Sequence, residues 1–313
     1  MNPLASNRLR EAAISSTETS VLIFRASEAS LFSKVEAIEA CKRNPYQPAL
    51  VWHPSIFGSM MQLDLRERVA QEIFMTGAFE PDLLWFLSCV IDEGTAVIDG
   101  GAHIGFFSLA LAQLVGASGR VDAFEPVART RSHLETNIRN ANLSNIFVHG
   151  FALWSESAVV EINDWGHEFS AYNGAAAPRI GPETILPEPS VVPTPAVSID
   201  GFVQSLGRSP SLIKLDVESA EYQVISGMRE TLANVRPVVI LEVGDFPDSR
   251  NETELRSSYD TLMILKDLSY TIFEIKNCRL TEHEVSEHVY DYGNLAAIPD
   301  EKVNDLRLRT RER

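Results

Sequence analysis

From about residue 81 onward, short apolar runs alternate with stretches of helical period, and this alternation organises the chain. The runs Ala96 to Asp99, Val121 to Glu125, Ile146 to Phe151, Leu212 to Asp216, Val238 to Val243, Thr271 to Ile275 and Asn294 to Ile298 read as strands. Between them apolar residues recur on single helix faces: Leu134, Ile138 and Ala141 at i, i+4 and i+7, and Val224, Ile225, Met228 and Leu232. Strands that are apolar throughout and separated by helices build a parallel sheet covered on both faces. The pattern predicts an α/β fold, a doubly wound and mostly parallel sheet of seven strands over residues 81–300. The last connection differs, because no long apolar helix lies between Thr271–Ile275 and Asn294–Ile298. Those two strands are expected to pair antiparallel at the sheet edge.

Three regions depart from this rhythm. Residues 1–80 form an N-terminal appendage in which Phe32, Val35, Ala37, Ile38 and Cys41 mark one amphipathic helix, ended by Asn44-Pro45. It is expected to cap a pocket or to serve as a homodimer contact. Residues 301–313, with Arg307, Arg309, Arg311 and Arg313, read as a solvated, charged tail. The segment Trp165 to Pro195 holds six of the 16 prolines and is rich in alanine, glycine and serine. It reads as a long surface loop, and loops of that length inside a compact domain tend to be lids or binding segments. Its Trp165, His167, Phe169 and Tyr172 either stack on a ring-bearing ligand or pack the loop down.

Charge narrows the partners. With 27 basic and 43 acidic residues the net charge is −16, which repels phosphate backbones and anionic lipid, so neither nucleic acid nor membrane is an expected partner. Three widely spaced cysteines without a CxxC argue against a disulfide framework or a zinc ribbon. No apolar stretch reaches the roughly 18 residues of a membrane span, and the N-terminus lacks a basic region followed by an apolar one; a cytoplasmic location is expected.

The sharpest chemical signal is Val97-Ile98-Asp99-Gly100-Gly101-Ala102-His103-Ile104-Gly105, a strand that ends in an acid and turns through glycines into a helix. In doubly wound sheets, ligands bind at such carboxyl ends. Read from Gly100 as a dinucleotide fingerprint the turn gives G-x-A-x-x-G, with Ala102 where backbone must approach a pyrophosphate. Read as Asp-x-Gly-x-x-x-Gly, from Asp99 through Gly101 to Gly105, it fits the turn that holds S-adenosylmethionine. Gly101 would then lie against the ligand, and Asp99 would balance its cationic amino-acid end. Glu125, ending the next strand before Pro126, is placed to accept hydrogen bonds from both ribose hydroxyls. Phe151 and Ala152, after the third strand, are placed beside the adenine.

The fourth strand ends in Asp216, Glu218 and Glu221, and the fifth carries Glu242 at the same height. Burying charges is expensive unless they are paired, so acids gathered at a strand end suggest a reactive pocket. Asp99, Glu125, Asp216, Glu218 and Glu242 together make an acidic rim that suits a sulfonium cation and not a triphosphate.

At these residues the chain resembles the FkbM family of S-adenosylmethionine-dependent methyltransferases. The resemblance runs from about Gly58 to Pro299 and rests on ordered pieces: Thr76-Gly77-Ala78-Phe79-Glu80-Pro81, the glycine loop Asp99 to Gly105, Phe124-Glu125-Pro126 with Asn137 and Asn142, Val197-Ser198-Ile199-Asp200, Ile213 to Glu221, and Glu242. Ser219 stands where the family usually has glycine, and His103 where asparagine is more common. The resemblance implies a Rossmann-like fold and methyl transfer to a hydroxyl of a small-molecule or glycan acceptor, a sugar or a polyketide-type product. An amine or protein side chain as acceptor, or a binding module without catalysis, shares every cofactor motif. For cofactor contact the candidates are Asp99, Gly100, Gly101, Ala102, His103, Gly105, Glu125, Pro126, Phe151, Ala152 and Asp216. For proton removal Asp216 comes first, then Glu218 and Glu242, with His103 suited by its ordinary pKa of about 6.5. No metal is expected, because sequence alone cannot show that the carboxylates converge.

Overall fold

The computed structural model describes residues 34–40, 49–175, 185–245 and 257–311. A first helix, α1, covers residues 34–40; Phe32, Cys41 and Asn44-Pro45 of the expected amphipathic helix lie outside the described residues. A hairpin follows, β1 (Leu50–Pro54) against β2 (Met60–Asp64), then α2 (Arg68–Thr76) and α3 (Pro81–Val90).

The remaining strands are β3 (Ala96–Gly100), β4 (Arg120–Phe124), β5 (Ile146–His149), β6 (Ala152–Leu153), β7 (Ala158–Asp164), β8 (Ser190–Val197), β9 (Pro210–Leu215), β10 (Val238–Val243), β11 (Tyr270–Ile275), β12 (Leu280–Glu282) and β13 (Gly293–Pro299). The helices between and after them are α4 (Phe106–Val115), α5 (Ala128–Ala141), α6 (Ile199–Leu206), α7 (Glu221–Ser226), α8 (Arg229–Asn234), α9 (Ser258–Asp267) and α10 (Val303–Arg311).

The main sheet has the order β12-β11-β13-β10-β9-β3-β4-β5. From β10 to β5 the strands run parallel, and β13 is antiparallel to both β10 and β11. All seven expected strands are in it, and Thr271 pairs with Ile298 as anticipated. The eighth, β12, is three residues long and not buried, so it leaves no apolar run in the sequence.

Side chains alternate across the sheet with the two-residue period of a strand. Val97, Leu212 and Ile240 enter one core with α3 and α4, whereas Ile98, Ile213 and Leu241 enter the other with α7 and α9. The order reverses beside β3, which lies between β4 and β9, and this opens a crevice at the carboxyl ends of the strands.

Three expectations are corrected. The strand drawn to Phe151 stops at His149; Ala152–Leu153 instead join a small second sheet of order β6-β8-β7. The Pro-rich segment is not loop to its end, because Ser190–Pro195 belong to β8. Pro193 and Pro195 are tolerated there since residues two apart share a side, and theirs is the side on which Val197 accepts from Trp154 N. The bonds they cannot donate fall where β6 offers a partner only at Ala196 and Val197. Of the C-terminal residues expected as a solvated tail, Val303–Arg311 form α10 instead: Leu306 is buried and Arg309 reaches Asp92 at 3.1 Å. One apolar side chain per turn holds that helix down, too sparse a signal to stand out among arginines.

Residues 60–78 also share the core of the following helices, through Met61, Leu63, Ile73 and Ala78. The division at residue 80 is one of sequence rhythm, not of packing. Among the described residues no single helix is long and apolar enough to cross a membrane.

Candidate active site

The glycine loop closes tightly over the ends of three strands. Gly100 pairs with Phe124 of β4 and Leu215 of β9, and the N–H groups of Gly101 and Ala102 both donate to Phe124 O, at 3.0 and 2.9 Å. Gly101 has φ +77°, and a Cβ there would stand 1.8 Å from Asp216 O, so no other residue fits. Gly105, with φ +93°, starts α4 against Leu134. His103 takes the left-handed region at φ +49°, and its N–H donates to Glu125 Oε2 at 3.0 Å. A hydrogen bond from one strand end therefore fixes the loop above its neighbour.

A cavity of about 1020 Å³ opens above this turn. Nine of the residues singled out in the sequence line it: Gly101, Ala102, His103, Glu125, Pro126, Phe151, Ala152, Asp216 and Glu218. Phe79, Phe107 and Ile162 give it apolar walls, and Ser170 to Ala171 with Asn173 to Ala175 bring the first part of the Pro-rich segment into it. Trp165, His167, Phe169 and Tyr172 do not line it; His167 lies instead beside His133 and Asp64 in a small side cavity.

Four predicted residues lie behind the wall. Asp99 is fully buried, on the α4 face of the sheet, where Ser108 Oγ donates to its Oδ2 at 2.6 Å and Lys214 Nζ lies 3.9 Å from its Oδ1. The expectation that it meets the ligand's cationic end directly is thereby corrected: as an interior residue of a central strand, its side chain points into the helix layer. Gly100 and Gly105 shape the turn without facing the cavity. Glu242 is buried and hydrogen-bonded to Tyr292, and its carboxylate lies with those of Asp216 and Glu218 in one group, oxygens within 4.8 Å of one another. Among the described residues these three are the set that could hold a metal ion. They would give a hard cation three oxygen ligands of the six or so it takes.

Lys214, quoted in the sequence only as part of a motif, proves central. It is 2% exposed, lines the cavity, and donates to Asp216 Oδ2 at 3.1 Å. Burial alone would push its ammonium down, but Asp216, Asp99 and Glu80 outweigh burial and hold it above lysine's ordinary value. A lysine inside the apolar run Leu212–Leu215 was the signal available, since a buried charge demands partners. Glu125 is pushed up to about 7 by burial, against the N–H groups of Val127 and His103 that favour its charge. Burial pushes His103 down to about 4, leaving a neutral imidazole whose Nε2 lies 3.0 Å from Ser170 Oγ. The suitability as a base inferred from its ordinary pKa does not survive this burial.

These residues fit S-adenosylmethionine. The Gly101 turn leaves backbone bare where a Cβ would collide, Glu125 presents a carboxylate with unused lone pairs to the cavity, and the acidic wall suits a ligand carrying a sulfonium and an ammonium.

A family model described as the methyltransferase FkbM domain matches residues 99–272, more than half of the chain. Among curated proteins, the AMB antimetabolite synthetase AmbE of Pseudomonas aeruginosa is 28% identical over 217 residues, 60% of this chain and 10% of that protein. The chain thus spans about a tenth of the length of that relative. Among solved structures, methyltransferase FkbM of Methylobacillus flagellatus KT aligns with a TM-score of 0.40 at 15% identity, over 86% of this chain and 60% of that one. An S-adenosylmethionine-dependent O-methyltransferase of Thermotoga maritima aligns with a TM-score of 0.39 at 14% identity, over 82% of this chain and 80% of that one. With the glycine turn, the strand-end glutamate and the Asp216 block all inside the matched span, the chain belongs to the FkbM methyltransferase family, and its cofactor is S-adenosylmethionine.

Proposed function

We propose that this methyltransferase acts on a hydroxyl oxygen of a small-molecule or glycan acceptor, a sugar or a polyketide-type product. The observation that carries the reading is the pair of carboxylates, Asp216 and Glu218, in the wall of the same cavity as the Gly101 turn. An alcohol is a poor nucleophile at neutral pH, and a positioned carboxylate that accepts its proton answers that need. The curated relative's name, an antimetabolite synthetase, supports a small-molecule product.

When bound, the cofactor supplies an electrophilic methyl on a sulfonium: the new C–O bond forms as the C–S bond breaks, its electron pair returns to sulfur, and the hydroxyl proton leaves oxygen. This chain's residues would do the rest. Glu125 would hold the ribose, Phe151 and Ala152 would flank the adenine, and Phe79 and Phe107 would exclude water. Asp216, oriented by Lys214, is the first candidate to receive the proton, with Glu218 next and Glu242 behind it; His103, neutral and held at Ser170, would position the loop. The acidity of the wall favours, as a second reading, an amine acceptor attracted as its ammonium.

The test is methyl transfer from labelled S-adenosylmethionine to matched panels of hydroxylated and amino compounds. Label on oxygen supports the first reading. Transfer confined to amines replaces it with the second.

A further inference from the structure

Of the rings that line the cavity, two are open to solvent: Phe151, 40% exposed, and Tyr292, 59% exposed. We propose that Tyr292 is the platform on which a ring-bearing acceptor lies during methyl transfer, an inference that rests on the cavity being the S-adenosylmethionine site.

The two rings stand at opposite ends of the crevice. Phe151 follows β5, whereas Tyr292 immediately precedes Gly293, the ladder partner of Val243, and so marks the carboxyl end of β10. In the order β10-β9-β3-β4-β5, four strand spacings of roughly 4.8 Å lie between those ends, on the order of 19 Å. The cofactor fills this row from one side, with adenine at Phe151, ribose at Glu125 after β4, and the methionine chain on the glycine turn after β3. Asp216, after β9, comes next, and beyond it no part of the cofactor is left to place. The wall nevertheless continues through Glu218 to Tyr292. An acceptor hydroxyl that gives its proton to Asp216 must lie in that remaining end.

Tyr292 is held for such a use. Its hydroxyl donates to the buried carboxylate of Glu242, which anchors the ring against the acidic wall while much of its surface stays exposed. The backbone just before it is tied down as well: Asp245 N donates to Tyr290 O at 2.8 Å, and Tyr290 N donates to Asp245 Oδ2 at 3.1 Å. A ring fixed in this way loses little freedom when a flat or cyclic ligand stacks on it. Trp165, Phe169 and Tyr172 of the Pro-rich segment do not line the cavity, so the ring on the acceptor side comes from the loop before β13 instead.

The test uses two analogues in which a tertiary amine replaces the sulfonium, one with a methyl on that nitrogen and one with a benzyl, so that the second projects a ring past the methyl position. Calorimetric titration of the full chain should show the benzyl analogue binding about three- to tenfold more tightly, the range of one aromatic pair. Tyr292→Ala should erase that preference and leave the affinity for the methyl analogue within about twofold, and Tyr292→Phe, which keeps the ring, should retain most of it. No preference in the unaltered chain overturns the proposal, as does a preference that survives Tyr292→Ala. An equal loss of both analogues in Tyr292→Ala would mark a structural role, and equal effects of the two substitutions would give the role to the hydroxyl; either result overturns it too. If neither analogue binds the unaltered chain, the reading of the cavity fails and this one falls with it.

Discussion

Asp99 and Lys214 lie directly opposite each other in the β3–β9 ladder, and from there Lys214 reaches 3.1 Å to Asp216, two residues further along its own strand. One buried ammonium thus ties the strand beneath the glycine turn to the carboxylate in the cavity wall. Asp99 carries its share of negative charge without touching the cavity, and Asp216 is presented at a fixed height beside Gly101, whose missing side chain lets the two segments meet.

Removing the ammonium should therefore unbalance the whole group. Lys214→Met leaves Asp99 buried without a counter-charge, a change that costs about 3–5 kcal/mol when one partner of a buried pair is lost. Urea unfolding is expected to show that loss, and adding Asp99→Asn to the same chain to recover part of it. A stability unchanged by Lys214→Met would mean the charges are solvated instead.

Ser219 marks a second local conflict. It stands where the family usually has glycine, its φ is +71°, and its buried hydroxyl has no hydrogen-bond partner among the described residues. Ser219→Gly removes both penalties, and a gain of about 1 kcal/mol is expected in thermal or urea unfolding. A loss would show that the hydroxyl holds a contact worth more than the strain.

The about-7 value of Glu125 gives a signed pH dependence. Unfolded, its carboxyl ionises near 4.5; folded, burial delays this to about 7, so the folded state holds the extra proton between those values. Stability contributed by that difference is complete below 4.5 and is lost as pH rises through 7. Glu125→Gln cannot ionise. Its stability should match the unaltered chain near pH 5 and exceed it by about 1–3 kcal/mol near pH 8, while its affinity for S-adenosylhomocysteine falls about tenfold or more. Parallel stability curves across that range would mean that Glu125 is not desolvated in solution, and unchanged affinity that it does not hold the ribose.

Much of this was legible because parallel strands buried on both faces write continuous apolar runs, and because a tight turn needs glycine where backbone meets backbone, as at Gly101 and Asp216 O. What escaped is equally physical. The three residues of β12 carry no apolar run, the prolines of β8 hid a strand whose unbonded side tolerates them, and Asp99 turns into the helix layer, away from the cavity its position suggested. Side-chain direction at a strand end depends on which face the sheet turns to each helix, and no spacing in one strand encodes that.

The docked C-terminal helix separates packing from charge. Leu306 is 5% exposed, so Leu306→Ala should cost about 2–4 kcal/mol. Arg309 pairs with Asp92 at 3.1 Å and Asp305 at 2.9 Å at the surface, and Arg309→Ala should cost less than about 1 kcal/mol. Differential scanning calorimetry of the two variants decides whether α10 is held by its apolar contact. Equal effects would place the weight on the ion pairs.

Asp216→Asn asks whether the carboxylate in the wall moves a proton or only holds its neighbours. The amide oxygen can still accept from Lys214, so the geometry at 3.1 Å is largely retained while the capacity to take a proton is lost. If Asp216 receives the acceptor's proton, turnover should fall by about 10²–10⁴, the share general-base catalysis commonly supplies, with S-adenosylhomocysteine affinity changed far less. Single-turnover methyl transfer at saturating cofactor measures the first, titration the second. An undiminished rate would remove Asp216 from proton transfer and move the assignment to Glu218, whose carboxylate faces the same cavity; a loss of affinity equal to the loss of rate would instead make Asp216 part of the cofactor's binding wall.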